Sequence, residues 1–202
     1  MTRSAQGGFN LIEIMVSLTV LAILISLGAP SFGEWLQNQQ VRAATEAIVN
    51  GMQVARGEAI KRNLAVQMVL DSLPASGWTV CETTANPCDS TIFANPDPLI
   101  ARLGIQNRSA QEGTKNAFVT PVSADLPPAA ATAVTFSPLG NVIANPDASP
   151  ILARVDVGST HGACLADSGP MRCLRVVVTG GGSIRMCDPT PGIVAPDTRA
   201  CP

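Results

Sequence analysis

The chain has 202 residues, 46% of them hydrophobic and 14% charged, with a formal charge of −2 and a mean hydropathy of +0.26. That length suits one domain plus an extended segment rather than a multidomain enzyme, and the balance is too apolar for a disordered chain. Near-neutral charge, 3% aromatic residues and no Tyr leave neither a broad basic face nor an aromatic platform for a polyanion.

The apolar weight is concentrated near the amino terminus. Residues 11–32 read LIEIMVSLTVLAILISLGAPSF, and Glu13 is their one ionisable residue. A bilayer core requires about 20 apolar residues. The uninterrupted part, 14–29, is slightly short, and Leu11, Ile12 and Phe32 bring it to length, so a single membrane span is expected. The preceding MTRSAQGG carries Arg3 and no acid, which places it on the cytoplasmic side and the body of the chain across the membrane.

A secretory signal has its small-residue cleavage site after the apolar stretch, whereas here Gly7-Gly8 precedes it. A cut between Gly8 and Phe9 removes only the hydrophilic leader and keeps the apolar helix. The run Gly7-Gly8-Phe9-Asn10-Leu11-Ile12-Glu13 closely resembles the processing and methylation site of type IV prepilins and type II secretion pseudopilins. That resemblance implies a prepilin peptidase that cuts after Gly8 and methylates the new amino group on Phe9; Asn10 departs from the Thr usual in the class. A carboxylate at mid-bilayer costs about 2.5 kcal/mol or more and needs a partner. In the resembled class, the glutamate matching Glu13 meets the positive amino terminus of a neighbouring subunit during assembly.

Pro30 is expected to kink or loosen the helix. Beyond it Phe32, Trp35, Leu36, Val41, Ala44, Ile48, Met52, Ala55 and Ile60 recur mainly at spacings of three and four, so the helix continues out of the membrane. From Phe9 to about Arg62 it would span on the order of 80 Å at about 1.5 Å per residue. Arg56, Lys61 and Arg62 suit the negative end of the helix dipole, and Asn63 suits its terminus. The stretch Val54-Ala55-Arg56-Gly57-Glu58-Ala59-Ile60-Lys61-Arg62-Asn63, followed by Leu64-Ala65-Val66-Gln67-Met68-Val69-Leu70, resembles the helix-to-strand hallmark of the GspH/FimT family of minor pseudopilins and minor pilins.

After Leu70 short apolar runs alternate with Pro, Gly, Asn and Asp: 78–80, 91–93, 117–119, 133–136, 141–143, 151–157, 174–179 and 183–186. All are read as strands of an antiparallel β-domain, with turns at Ser137-Pro138-Leu139-Gly140 and Thr179-Gly180-Gly181-Gly182. The turn from Phe136 to Gly140 is also similar to a feature of the family. Pro- and Ala-rich 121–132 and 144–150 read as surface loops. The expected class is therefore α+β with a type IV pilin-like fold: leader 1–8, membrane-spanning and assembly half of the helix 9–32, amphipathic half 33–62, and extracytoplasmic β-domain 63–202.

Six cysteines beyond a membrane predict disulfides. About 15 connectivities exist; the sequential pairing Cys81 with Cys88, Cys164 with Cys173 and Cys187 with Cys201 closes three short loops rich in turn formers. No metal site is expected, since no C-x-x-C pair occurs and His161 is the only histidine. Gly180-Gly181-Gly182 lacks the following Lys-Ser or Lys-Thr of a phosphate loop, and no catalytic constellation or cofactor motif emerges.

Arg172, Arg175, Arg185 and Arg199 gather near the carboxy terminus. FimT-type minor pilins of DNA-uptake pili carry a G-R-x-R pattern on the corresponding hairpin, and Gly182-Ser183-Ile184-Arg185 keeps only its second arginine. Arg185 and Arg175 are the residues that a DNA-binding reading would use. The resemblance as a whole implies a non-enzymatic subunit that initiates or caps a type IV pilus or a type II secretion pseudopilus. Its partners would be other major and minor pilins or pseudopilins, the prepilin peptidase, and the inner membrane with its assembly platform. It would reside in the inner membrane with the β-domain in the periplasm, and then in the filament.

Overall fold

In a computed structural model of the chain, residues 10–85, 88–112 and 114–202 are described, with the side chains of 27–31 left aside. One long helix, α1 (Leu11–Arg62), precedes nine strands: β1 (Val66–Val69), β2 (Trp78–Glu82), β3 (Gly104–Arg108), β4 (Ala117–Ser123), β5 (Ala133–Phe136), β6 (Val142–Ile143), β7 (Leu152–Ser159), β8 (Leu174–Val178) and β9 (Ile184–Cys187). The class is α+β, with a helix on antiparallel sheets. By compactness the chain divides within α1, into Met1–Leu36 and Gln37–Pro202. The helix runs unbroken across Pro30.

In the second unit the strands form a five-stranded sheet, β3-β2-β1-β5-β6, and a four-stranded sheet, β4-β7-β8-β9. All of their pairings are antiparallel. Strand alternation sends Val66, Met68, Trp78, Val80, Val134 and Phe136 to one face of the first sheet, and Val119, Val155, Val157, Val176 and Val178 to one face of the second. Both faces share a single core with the helix residues Val41, Ala44, Ile48, Met52, Ala55 and Ala59. The helical stripe fits at i, i+3, i+4 and i+7, as an amphipathic helix on a core requires. At its centre Gly51 admits the indole of Trp78; a Cβ there would lie 2.8 Å from the ring. The sheets are joined at their margins by a bridge between Ala133 and Ile151 and by the Val142 amide on the Gly180 carbonyl at 2.9 Å.

Three local readings need correction. Residues 91–93 are not a strand but part of a 3-10 turn, Ser90–Ala94, started by the Asp89 carboxylate accepting from the Thr91 amide at 2.8 Å. A three-residue apolar run carries no period, so a side-chain cap decided the outcome. The strand β3, with Ile105 as its one large apolar residue, and the short helix Pro98–Ala101, only four residues long, do not appear among the runs. The loop read from residue 121 begins after Ser123, since Pro121 lies in β4, an outer strand where a missing N–H is tolerated. Within the expected surface loop 144–150, Asn145 is buried: its amide donates to the Ala133 and Pro150 carbonyls at 3.2 and 3.1 Å, and its carbonyl accepts from Thr135.

Gly51→Val should overpack the contact with Trp78 and lower stability by about 1–3 kcal/mol. Urea unfolding of the detergent-solubilised chain, followed by tryptophan emission, measures this.

Candidate functional site

Three regions carry the residues singled out by sequence, and each is built differently. The first lies in the unit Met1–Leu36. From Leu11 to Ile25 the large apolar side chains, among them Leu11, Ile14, Leu18, Val20 and Leu24, are exposed around the whole helix. The hydroxyls of this stretch are turned back onto the helix: Ser17 Oγ donates to the Glu13 carbonyl, Thr19 Oγ1 to Met15 and Ser26 Oγ to Ile23, at 2.7–2.8 Å. Such back-bonding satisfies hydroxyls without water. Glu13 lines a shallow groove with Ile14, Ser17, Leu18 and Leu21 along one side of α1. Among the described residues no helix is long and apolar enough to cross a membrane. Gly8 and Phe9 lie outside the described residues.

The second region is the carboxy-terminal end of α1. Asn63 adopts φ 54°, and the Leu64 amide reaches the Ala59 carbonyl, the six-to-one bond that closes a helix in a left-handed cap. Arg56 Nε donates to the Gly140 carbonyl at 2.9 Å, tying the helix to the β5–β6 turn. Gly182 of the β8–β9 turn, at φ +77°, lies so close to the Gly140 carbonyl that a Cβ could not be placed there. One arginine and two glycines thus bring the helix and a turn from each sheet to one point. Lys61 and Arg62 both pair with Glu58, and Arg62 also reaches Glu82 on β2 at 2.9 Å. The hydrogen bond from Arg62 outweighs the opposing effect of burial and, with the weaker one from Lys61, holds the Glu58 carboxyl below its ordinary value. The helix dipole is therefore only part of what these cations do; the bond from Arg56 to Gly140 is not legible from a motif, because its acceptor is a backbone atom 84 residues away.

The third region is the outward face of the four-stranded sheet. Arg175 stands opposite Asp156 and Cys187, while Val177 stands opposite Arg154 and Arg185, so all these side chains share the face turned away from the core. Asp156 accepts from Arg175 Nε and lies 3.2 Å from Arg154 Nε. Arg185 is exposed and has no ion pair among the described residues. Arg154 was missed by sequence reasoning; its alternation with the buried Val155 on β7 was the available signal. The other two carboxy-terminal arginines stand apart: Arg172 faces the buried Asp188 at 3.6 Å, and Arg199 binds Asp197, whose carboxyl its hydrogen bonds lower to about 2.

The structure joins Cys81 to Cys88, Cys164 to Cys173 and Cys187 to Cys201, with Cα separations of 6.0, 5.4 and 5.0 Å. The third bond, with the pairing of Asp188 and Ala200, fastens the tail to the end of β9. Closing a loop of that size is worth about 3 kcal/mol in the chain-entropy account. His161 sits in an exposed turn with its Nδ1 3.1 Å from Thr160 Oγ1. Among the described residues no three His, Cys, Asp or Glu side chains are arranged to hold a metal ion.

The family described as type II transport protein GspH matches residues 44–182, from the middle of α1 to the β8–β9 turn. No curated protein matches the chain. Among solved structures the chain is similar to the type IV minor pilin FimU of Pseudomonas aeruginosa in two crystal forms. The first, in space group P21, has 16% identity over 75% of this chain and 91% of that one, with a TM-score of 0.45. The second, in space group P65, has 16% identity over 72% and 90%, with a TM-score of 0.43.

Two measurements check the helix end. Arg56→Gln should cost about 1.5–3 kcal/mol, the range for a hydrogen bond to a charged group, read as a lower urea midpoint. For Glu58 the depressed carboxyl stabilises the fold fully above its ordinary value of 4.5, and that contribution disappears as pH falls through the lower folded-state value. Glu58→Gln should therefore flatten the loss of thermal stability below pH 4.5 while leaving its steepness at pH 7 unchanged.

Proposed function

The chain belongs to the type II transport protein GspH family, and from that membership we propose that it is a minor pilin or pseudopilin, a non-enzymatic subunit of a membrane-anchored filament. The observation that carries the reading is the family match across the end of α1 and nearly all of both sheets. The exposed apolar surface of 11–25 supplies what a filament subunit needs, a helix that passes from lipid into a bundle of like helices.

In this account a prepilin peptidase cuts between Gly8 and Phe9 and methylates Phe9, and the mature helix begins at its apolar end. Residues 9–32 then hold the chain in the inner membrane, with 63–202 as the periplasmic β-domain. Glu13, near the start of that helix, meets the positive amino terminus of a neighbouring pilin or pseudopilin and sets the axial register. The β-domain stays outside the bundle, where the subunit joins other minor subunits, starts filament growth on the assembly platform and caps the fibre.

A second reading is favoured by the arginine face alone. Arg185, without an ion pair among the described residues and on one face with Arg175 and Arg154, offers a small cationic surface to DNA phosphates at the tip of an uptake pilus. Asp156 offsets part of that charge.

Glu13→Gln should leave membrane insertion intact and reduce the amount recovered in sheared filaments roughly tenfold or more, the effect of losing a charge-assisted contact of about 1.5 kcal/mol or above. Unchanged recovery would remove the assigned role of Glu13. For the second reading, DNA gel shifts over a salt series should show a shallower salt dependence for Arg185→Ala than for the parent chain, about one unit in the log–log slope per lost phosphate contact. No shift at low salt discards that reading.

A further inference from the structure

Phe32 and Trp35 are three residues apart on α1, so they share one side of the helix. Their rings stack with centroids 5.8 Å apart and planes 25° from parallel, and both are more than half exposed, at 60% and 54%. Among the described residues of the unit Met1–Leu36 nothing covers them. Their position along the chain is as telling as their exposure. They fall where the apolar run ends and Gln37-Asn38-Gln39-Gln40 begins. From Leu11 to Phe32 a helix rises about 31 Å, against a hydrocarbon core of about 30 Å.

The usual cationic markers of a membrane boundary are missing on this stretch, because no Lys or Arg occurs between Arg3 and Arg42. Aromatic rings are the other group that seeks the headgroup layer, indole above all, since its body is apolar and its N–H needs a polar partner. The chain has only five Phe and two Trp, and two of these seven stand at this junction. The other tryptophan, Trp78, is wholly buried in the core.

Resting on the membrane-anchored reading above, we propose that the stacked Phe32–Trp35 pair is an interfacial anchor: it binds the phospholipid headgroup layer on the side where the chain leaves the bilayer, and so fixes the depth of α1. Glu34, between the two rings in sequence, is tolerated at that level because headgroups are hydrated. The anchor places Leu11 at the opposite boundary and Glu13 about 3 Å further in along the helix axis.

The two tryptophans make the test direct. The full chain is reconstituted into phosphatidylcholine and phosphatidylglycerol vesicles carrying lipids brominated either at carbons 6 and 7 or at carbons 11 and 12. The emission of a Trp35→Phe variant, which reports Trp78 alone, is subtracted from that of the parent. The expected Trp35 signal is quenched at least twofold more by the shallow bromines than by the deep ones, and only weakly by iodide. Phe32→Trp combined with Trp35→Phe should move the signal slightly deeper while keeping the shallow preference. In protein that floats with the vesicles, iodide quenching as strong as that of free tryptophan overturns the anchor. Stronger deep quenching does the same, as does shielding from both quenchers, which would assign the rings to a protein contact. Failure to float at all removes the membrane-anchored reading and the anchor with it.

Discussion

A helix that is apolar around its whole circumference cannot be left in water. From Leu11 to Ile25, eleven large hydrophobic side chains are each about half exposed or more, and at about 1.5–3 kcal/mol for each full burial their cover is worth on the order of 10 kcal/mol. That equals the net stability of a whole domain, about 5–15 kcal/mol. The second unit has its own core. Lipid and other apolar helices are the two media that can supply the cover, and a filament subunit in the proposed account uses them in succession.

The same helix has a different surface from Val41 onward. There only one stripe is apolar, and two sheets bury it together. Gly51 lets the helix settle on Trp78, and the three-way junction of Arg56, Gly140 and Gly182 closes the far end. Disulfides serve the periphery: one fastens the tail beyond β9 and the others brace loops outside the shared core. The result is a rigid body whose outward surfaces, the arginine face included, are free to differ without disturbing the packing that holds α1.

Much of this was legible in the sequence where a period or a long run carried the signal. The apolar stretch, the amphipathic continuation of α1 and the strands with buried Val residues are of that kind. Local chemistry misled where the run was short: Thr91-Ile92-Phe93 became a 3-10 turn because Asp89 caps it, and β3 was silent because its consecutive Gln106 and Asn107 are polar and exposed, leaving no apolar alternation to read. Long-range pairings could not be read at all. The acceptor of Arg56 is a carbonyl, which any residue carries, and Arg154 joined Arg175 and Arg185 only once the register of β7, β8 and β9 was known.

The central claim is that the apolar helix is kept on the mature protein and begins at Phe9. Intact-mass and amino-terminal peptide mass spectrometry of the chain purified from cell membranes tests it most directly. The account predicts a protein starting at Phe9 with a methylated amino group. A chain that retains the leader, or one shortened past residue 32 and released as a free β-domain, would contradict it.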